Sequence, residues 1–132
     1  METILVVDDD AAVRRFIADT LRDAGFAVMA TGRAEQALSL VEGRTPGVDL
    51  AVIDMAMPVM SGLDLAAILE REHEEIKILF ISGHGDSIAM ESIFHKSPQQ
   101  VLLKPFNETA IAHRVEQLLR RPVRPNGGES AN

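Results

Sequence analysis

The sequence predicts an α/β fold in which five parallel strands form one sheet with five helices packed on its two faces. Three observations predict this class. Short apolar runs alternate strictly with segments of helical period. Four of the five runs are apolar throughout, which is typical of strands buried on both faces. At 132 residues with 46% hydrophobic content, the chain is long enough for one buried core and too short for two.

Each predicted strand is a short apolar run that ends where polar residues follow. The second run is the weakest and suits an edge of the sheet. Right-handed crossovers between such units favour the flavodoxin-like doubly wound strand order 2-1-3-4-5. The five strands are predicted at Ile4 to Val7, Ala27 to Ala30, Leu50 to Ile53, Ile78 to Ile81 and Val101 to Leu103.

The first three predicted helices are marked by apolar residues three or four positions apart. Gly25 and Gly43 follow the first two, where a left-handed residue commonly ends a helix. Ser61 and Asp64 resemble a capping box that opens the third helix. The residues predicted to face the core are Val13, Phe16, Ile17, Leu21 and Ala24, then Ala34, Ala37, Leu38 and Val41, then Leu65, Ile68 and Leu69.

The last two helices are bounded by residues with clear local preferences. The fourth is predicted to begin near Asp86 or Ser87, and it must end before Pro98 because the residue before a proline avoids the helical conformation. The fifth begins after Asn107, a favourable N-cap. Its predicted core residues are Ile111, Val115, Leu118 and Leu119.

Composition and the end of the chain limit the functions that remain. The sequence has no cysteine, so any metal must be held by oxygen or imidazole ligands. A net charge of −7 argues against a nucleic-acid-binding face. No apolar run approaches the roughly 18 residues of a membrane span, so we expect no membrane association and a cytoplasmic protein. Periodicity ends near Arg120, and we predict a domain at residues 1–121 and a disordered tail at residues 122–132.

Polar side chains follow four of the predicted strands, where each strand ends. Asp8-Asp9-Asp10 follows the first, Asp54 the third, Ser82 the fourth and Lys104 the fifth. The carboxyl ends of parallel strands share one edge of a sheet, which is where ligands bind. Crowded carboxylates repel one another, and Mg²⁺, which prefers oxygen ligands and joins carboxylates to phosphate, offsets that repulsion. One carboxylate can then attack phosphorus to form an aspartyl-phosphate, while the ammonium neutralises charge on its oxygens.

These residues closely resemble the receiver domain of two-component response regulators, from about Ile4 to Leu119. Each matching segment is weakly specific, whereas their order and spacing together are highly specific. The segments are Ile4-Leu5-Val6-Val7-Asp8-Asp9, Val52-Ile53-Asp54-Met55-Ala56-Met57-Pro58 with Ser61-Gly62, Ile81-Ser82-Gly83-His84-Gly85, and Lys104-Pro105-Phe106.

The resemblance implies a role for each residue of the strand-end group. Asp54 is implied as the phosphoacceptor, with Asp8 and Asp9 forming the acidic pocket. Mg²⁺ would be bound by Asp9, Asp54 and the backbone carbonyl of Ala56, with Asp8 acting through a water molecule. Two further roles are implied for residues of the last two strands: Ser82 is the switching hydroxyl, and Lys104 pairs with the phosphate and precedes Pro105 in a cis peptide bond.

The sequence departs from the family at the place where the family usually carries an aromatic switch residue. That position, three residues before Lys104, is Val101. Before it, residues 96–100 replace the small pair common in the family, so the fourth helix is expected to be short or mobile. We hypothesise that signalling proceeds through a rearranged fourth helix rather than an aromatic rotamer change.

The positions that flank the acceptor are implied to tune the lifetime of the phosphoryl group. His84 lies two residues after Ser82, and Ala56 lies two residues after Asp54. A direct influence of His84 competes with its being an ordinary exposed loop imidazole. The other three histidines have no close sequence spacing suited to a metal site and are predicted to be surface residues. They are His73, His95 and His113.

The function implied is a phosphorylation-dependent signalling switch. A sensor histidine kinase or a histidine phosphotransfer protein would donate the phosphoryl group to Asp54. An unidentified output protein would bind the face formed by helix four, strand five and helix five. The domain would be a phosphoacceptor rather than a turnover enzyme, with no direct binding of nucleic acid.

Four alternatives compete with this function. The chain could be the regulatory part of a longer DNA-binding response regulator, or a receiver-like binding module that works without phosphorylation, an idea motivated by Val101. A start at Met1, three residues before the first strand, argues against a domain cut from a hybrid kinase. A phosphatase of the haloacid dehalogenase type needs a second aspartate two residues after the nucleophile, and Ala56 stands at that position. No residue is then available there to transfer a proton to the leaving group, which argues against this function.

Overall fold

The computed structural model describes residues 1–44, 47–83 and 87–120, without the side chains of residues 87–90 and 94. Five parallel strands form one sheet in the order β2-β1-β3-β4-β5, as the sequence predicts. The strands are β1 (Thr3–Val7), β2 (Ala27–Thr31), β3 (Leu50–Asp54), β4 (Lys77–Ser82) and β5 (Val101–Leu103). The helices are α1 (Ala11–Asp23), α2 (Ala34–Val41), α3 (Gly62–Glu72), α4 (Ser87–Lys96) and α5 (Glu108–Arg120).

Successive residues of the central strands point to opposite faces of the sheet, so the sheet has a core on each side. Leu5 and Val7 belong to the core covered by α2 and α3. Ile4 and Val6 belong to the core covered by α1 and α5. Both cores use β-branched and leucine side chains that are fully buried, which explains why the strands are apolar without alternation.

The strand register brings the carboxyl ends of the strands to a common edge. Val7 of β1 is paired with Thr31 on one side and with Ile53 on the other. Asp54 is paired with Ile81, and Ser82 with Leu103. The residues that follow these pairs therefore leave the sheet at the same level, and this level positions the candidate site.

Side chains cap three of the described helices, two of them at the residues that the sequence predicts. The Asp10 carboxylate accepts hydrogen bonds from the N–H groups of Ala12 and Val13 at the start of α1. Ser61 Oγ accepts from the N–H of Asp64 at 3.2 Å. Asn107 Oδ1 accepts from the N–H of Ala110 at 2.8 Å. Such caps satisfy orphan N–H groups in the first turn, so three helix starts are fixed locally.

Some local predictions are wrong or remain open. Ala24, predicted to face the core, is exposed because it is the C-cap of α1. α4 has ten residues, fewer than α1, α3 and α5 and more than α2, so the prediction that the fourth helix is short or mobile remains open. A 3₁₀ turn at Pro98–Gln100 then leads into β5.

Two further predictions concern the end of the chain and membrane-spanning helices. The tail predicted at residues 122–132 lies outside the described residues. None of the helices in residues 1–44, 47–83 and 87–120 combines the length and the hydrophobicity that a membrane span requires.

Candidate functional site

Three aspartates converge at the carboxyl edge of the sheet. Asp8 follows β1, and Asp54 is the last residue of β3; their exposed fractions are 1% and 5%. Asp9 is exposed. One carboxylate oxygen from each of the three lies within 4.8 Å of the others. The cluster predicted from the strand ends is therefore present, and two of its members have little contact with water.

The Asp8 carboxylate has one oxygen that the protein satisfies and one that it does not. Oδ1 accepts a hydrogen bond from the N–H of Asp10 at 2.9 Å. Oδ2 is buried and makes no hydrogen bond within the described residues. Burial raises the pKa of Asp8 above its ordinary value, and the neighbouring carboxylates of Asp9 and Asp10 add to the shift. A carboxylate oxygen without a hydrogen bond, close to two other carboxylates, is suited to bind a hard divalent cation or a water molecule held by one.

The Asp54 carboxylate is held between repulsion from other acids and attraction to a lysine. Burial raises its pKa to about 6, and the charge of Asp8 contributes. Lys104 opposes the shift, with its Nζ 3.8 Å from Asp54 Oδ1. The N–H of Ala56 also donates to Oδ1, at 3.4 Å. The net result is a carboxylate whose negative charge is poorly compensated by the protein alone.

The loop from β3 to α3 folds back onto the end of β3. The N–H of Gly62 donates to the carbonyl of Met55 at 3.1 Å. A Cβ at position 62 would lie 2.2 Å from the carbonyl oxygen of Asp54, so only glycine fits there. Val59, in the loop between Met55 and Gly62, adopts a left-handed conformation with φ 69° and is 95% exposed. Gly62 thus seats the start of α3 directly on the backbone of Asp54.

Ser82 and Lys104 complete the edge. Ser82 ends β4 and is 1% exposed, and its Oγ donates to the carbonyl of Gly83 at 3.4 Å. The N–H of Lys104 donates to the carbonyl of Ser82 at 2.8 Å, which ties the two residues together. The Lys104–Pro105 peptide bond is cis, as the resemblance implied. Ser82 therefore ends the strand next to β3 at the acidic edge, and the Lys104 ammonium lies beside Asp54.

Val101 occupies the start of β5 and is 2% exposed. Its carbonyl accepts a hydrogen bond from Arg114 Nη1 of α5 at 2.5 Å. The position is thus a packed core position, filled by a small aliphatic side chain. His84, the other residue singled out as a modulator, lies outside the described residues.

One histidine departs from the prediction that it is a plain surface residue. His95 and His113 are exposed, but the side chain of His73 is only 21% exposed, with Nε2 3.9 Å from Glu42 Oε2. Atoms of Glu42, Glu72 and His73 that could ligate a metal lie within 4.8 Å of one another. The three residues meet because α2 and α3 end side by side, a proximity that sequence spacing does not reveal. Both glutamates are exposed and solvated, so the group does not amount to a metal site.

Residues around Asp8 that the sequence did not single out also contribute to the site. Arg14 Nη1 of α1 donates to the backbone carbonyl of Asp8 at 2.8 Å. The N–H of Asp8 donates to the carbonyl of Thr31 at 3.1 Å. Thr31 is 4% exposed and forms a side-chain hydrogen bond with Gln36. These contacts join three elements, so no local pattern could have indicated them.

Comparison with known proteins gives one consistent result. Residues 4–116 match the model of the response regulator receiver domain family. The nitrogen assimilation regulatory protein NtrX of Azorhizobium caulinodans is 30% identical over 126 residues, which cover 92% of this chain and 28% of NtrX. The DNA-binding response regulator MtrA of Mycobacterium tuberculosis is 31% identical over 120 residues, covering 91% of this chain and 51% of MtrA. The chain thus spans about half or less of these curated relatives.

A solved structure supports the same fold. A response regulator receiver protein from Burkholderia phymatum has a TM-score of 0.77 and 26% identity, covering 93% of this chain and 98% of that one. The strand-end segments that build the acidic edge all lie within the matched residues 4–116. This chain therefore belongs to the response regulator receiver domain family.

Proposed function

We propose that this domain is a phosphorylation switch in which Asp54 accepts a phosphoryl group. The observation that carries the proposal is the buried Asp54 carboxylate, 5% exposed, which lies 3.8 Å from the Lys104 ammonium and within 4.8 Å of two other acids. A nucleophile, a cation for the phosphoryl oxygens and a set of metal ligands are thus together at one edge of the sheet. The donor we propose is a sensor histidine kinase or a histidine phosphotransfer protein.

The metal we propose for the site is Mg²⁺, held by Asp9, Asp54 and the backbone carbonyl of Ala56, with Asp8 acting through a water molecule. The unpaired Asp8 Oδ2 and the clustering of the three carboxylates support this ligand set. When bound, the ion would supply positive charge to the phosphoryl oxygens and offset the repulsion among the carboxylates. The absence of cysteine is consistent with an all-oxygen site.

The chemical step uses groups of this chain. A carboxylate oxygen of Asp54 forms a bond to phosphorus while the bond from phosphorus to the donor nitrogen or oxygen breaks, and the donor leaves with that electron pair. Asp54 must be ionised to attack, and with a pKa of about 6 it is mostly ionised at neutral pH. Lys104 would then form an ion pair with a phosphoryl oxygen, and the Ser82 hydroxyl would donate a hydrogen bond to another.

The output we propose is altered binding of a partner protein at the face of α4, β5 and α5, with Ser82 and Val101 as the switch positions. Ser82 and Val101 lie on adjacent paired strands, which supports a connection between them. Since Val101 is a buried aliphatic residue without a ring to reorient, we propose that α4 rearranges instead. Relaxation-dispersion NMR that finds α4 rigid in both phosphorylation states would contradict this. Modulation of the phosphoryl lifetime by His84 and Ala56 stays a prediction.

A second candidate is the regulatory domain of a longer DNA-binding regulator. The similarity to MtrA, of which the matched residues cover 51%, favours it. Both candidates use the same switch and differ in whether the output surface contacts a separate protein or a DNA-binding domain of the same chain. A receiver-like module independent of phosphorylation remains the alternative if Asp54 proves inert. The domain limits 1–121 and 122–132, the absence of turnover catalysis, the lack of direct nucleic-acid binding and a cytoplasmic location stay predictions.

The experiment that tests the proposal is intact-mass spectrometry after incubation with Mg²⁺ and acetyl phosphate. The wild type is compared with Asp54→Asn, and with Asp49→Asn as a matched control at another strand-adjacent aspartate. We expect one phosphoryl adduct on the wild type and on Asp49→Asn, and none on Asp54→Asn. A phosphoryl adduct on Asp54→Asn would show that a residue other than Asp54 is the phosphoacceptor. No adduct on any of the three, with Mg²⁺ binding intact, would favour the phosphorylation-independent module.

A further inference from the structure

We propose that Arg14 is a positioning residue that holds Asp8 in the orientation a divalent cation requires, and that Gly32 is the residue that leaves room for it. The inference rests on the proposed Mg²⁺ site. It concerns how the acidic pocket is held in shape rather than which residues ligate the ion.

Three hydrogen bonds fix Asp8 and leave one oxygen over. The N–H donates to the carbonyl of Thr31 at 3.1 Å, and Oδ1 accepts from the N–H of Asp10 at 2.9 Å. The backbone carbonyl accepts from Arg14 Nη1 at 2.8 Å. Both backbone polar groups and one carboxylate oxygen are thus held by the protein. Oδ2, which is buried, makes no hydrogen bond within the described residues, and an ion bound by the acidic cluster would supply the missing partner.

The Arg14 guanidinium reaches Asp8 from the side of the sheet where β2 ends. Gly32 directly follows β2, and a Cβ there would lie 2.7 Å from Arg14 Nη1 and 3.6 Å from the carbonyl oxygen of Asp8. Any larger residue at position 32 therefore displaces the guanidinium. The displaced atom is the end of a flexible side chain, so we expect the change to cost little stability while it breaks the bond to Asp8.

Charge and position predict opposite effects, which makes the role of Arg14 testable. If Arg14 acted only as a positive charge near the acidic cluster, removing it would make the cluster more negative and tighten cation binding. If it positions Asp8, removing it loosens the pocket and weakens cation binding. Gly32→Ala keeps every charge and changes only the position of the guanidinium.

The test is Mg²⁺ titration of the full chain, followed by ¹H–¹⁵N NMR, which reports binding without any phosphorylation. The variants are Arg14→Met, which keeps the apolar part of the side chain, and Gly32→Ala. Two controls match them. Arg15→Met removes the same charge from an exposed neighbouring position, and Gly47→Ala adds a methyl group whose nearest neighbour, the carbonyl oxygen of Arg44, is 4.0 Å away. Urea unfolding of each variant checks that it is folded.

We expect Arg14→Met and Gly32→Ala each to raise the dissociation constant for Mg²⁺ on the order of three- to tenfold. Arg15→Met should bind equally or more tightly, and Gly47→Ala equally. Unchanged or tighter binding in Arg14→Met would overturn the positioning role, as would lower stability with unaltered affinity. Weakening in Arg14→Met without weakening in Gly32→Ala would overturn the role of Gly32. No Mg²⁺ binding by the wild type would instead refute the proposed metal site.

Discussion

Replacing Asp54 by asparagine is expected to stabilise the metal-free domain at neutral pH. The change removes one charge from a buried cluster of like charges and keeps the size and shape of the side chain. Its Oδ1 can still accept the hydrogen bond that the N–H of Ala56 donates at 3.4 Å. What is lost is the attraction to Lys104, which lies 3.8 Å away. That attraction is weaker than the combined cost of burial and repulsion, because the pKa of Asp54 is raised rather than lowered.

The size of the effect follows from the pKa shift. The pKa rises from the ordinary value of 3.8 to about 6 in the folded state. At about 1.4 kcal/mol for each pH unit, the ionised carboxylate costs on the order of 3 kcal/mol of folding free energy. The amide of asparagine needs hydrogen-bond partners of its own, so we expect a net gain of about 1–3 kcal/mol.

The sign of the pH dependence is fixed by the same shift. A carboxyl whose pKa is raised on folding binds its proton more tightly in the folded state than in the unfolded state. The wild type therefore loses stability as the pH rises from about 4 to about 6, and the whole cost is present above that range. The advantage of Asp54→Asn should be largest near neutral pH and should disappear near pH 4.

Urea unfolding followed by far-ultraviolet circular dichroism measures this free energy; the chain has no Trp and no Tyr for fluorescence. Asp19→Asn is the matched control, since the Asp19 side chain is 63% exposed and its Oδ1 lies 3.6 Å from Arg22 Nη1. Both variants are compared with the wild type in a chelator at several pH values, and again in millimolar Mg²⁺. Mg²⁺ should stabilise the wild type more than Asp54→Asn. Equal stabilities at neutral pH, or a gain that persists near pH 4, would refute the reasoning.

Three further substitutions test other parts of the site. Gly62→Ala should lower the free energy of unfolding by at least about 2 kcal/mol, because its Cβ would lie 2.2 Å from the Asp54 carbonyl oxygen. The control Gly47→Ala should stay within about 0.5 kcal/mol of the wild type. Urea unfolding that finds the two variants equally stable would contradict this prediction. Val59→Gly should raise the free energy of unfolding by about 0.5–1 kcal/mol, since φ 69° strains a β-branched residue; a loss of stability would show that the conformation is not strained. Lys104→Met should raise the pKa of Asp54 further and abolish the adduct formed with acetyl phosphate; an NMR titration showing an unchanged or lower pKa would contradict the ion pair.

The sheet and the acidic cluster could each be predicted from a simple rule. Buried parallel strands are continuous apolar runs, so Leu50 to Ile53 is visible as a strand without any knowledge of its neighbours. Parallel strands also share an edge, so Asp8, Asp54 and Lys104 could be brought together from their positions after the runs. Predicted strand limits are accordingly within one residue of those observed.

What the sequence did not reveal depends on contacts between distant segments. The bond from Arg14 to the Asp8 carbonyl and the space left by Gly32 require the packing of α1 against the end of β2. The approach of His73 to Glu42 likewise requires α2 and α3 to end together. The left-handed conformation of Val59 opposes its own backbone preference, so local propensity predicts the reverse.

The contact of Gly62 with Asp54 limits which neighbouring elements can move when Asp54 changes. The first residue of α3 lies against the acceptor's own carbonyl group, and its N–H is bonded to the residue that follows the acceptor. Because Gly62 is in close contact with the backbone of β3, the start of α3 cannot shift toward β3 unless the backbone of Asp54 shifts with it. We therefore expect the rearrangement that follows phosphorylation of Asp54 to involve Ser82, Lys104 and β5 rather than the start of α3.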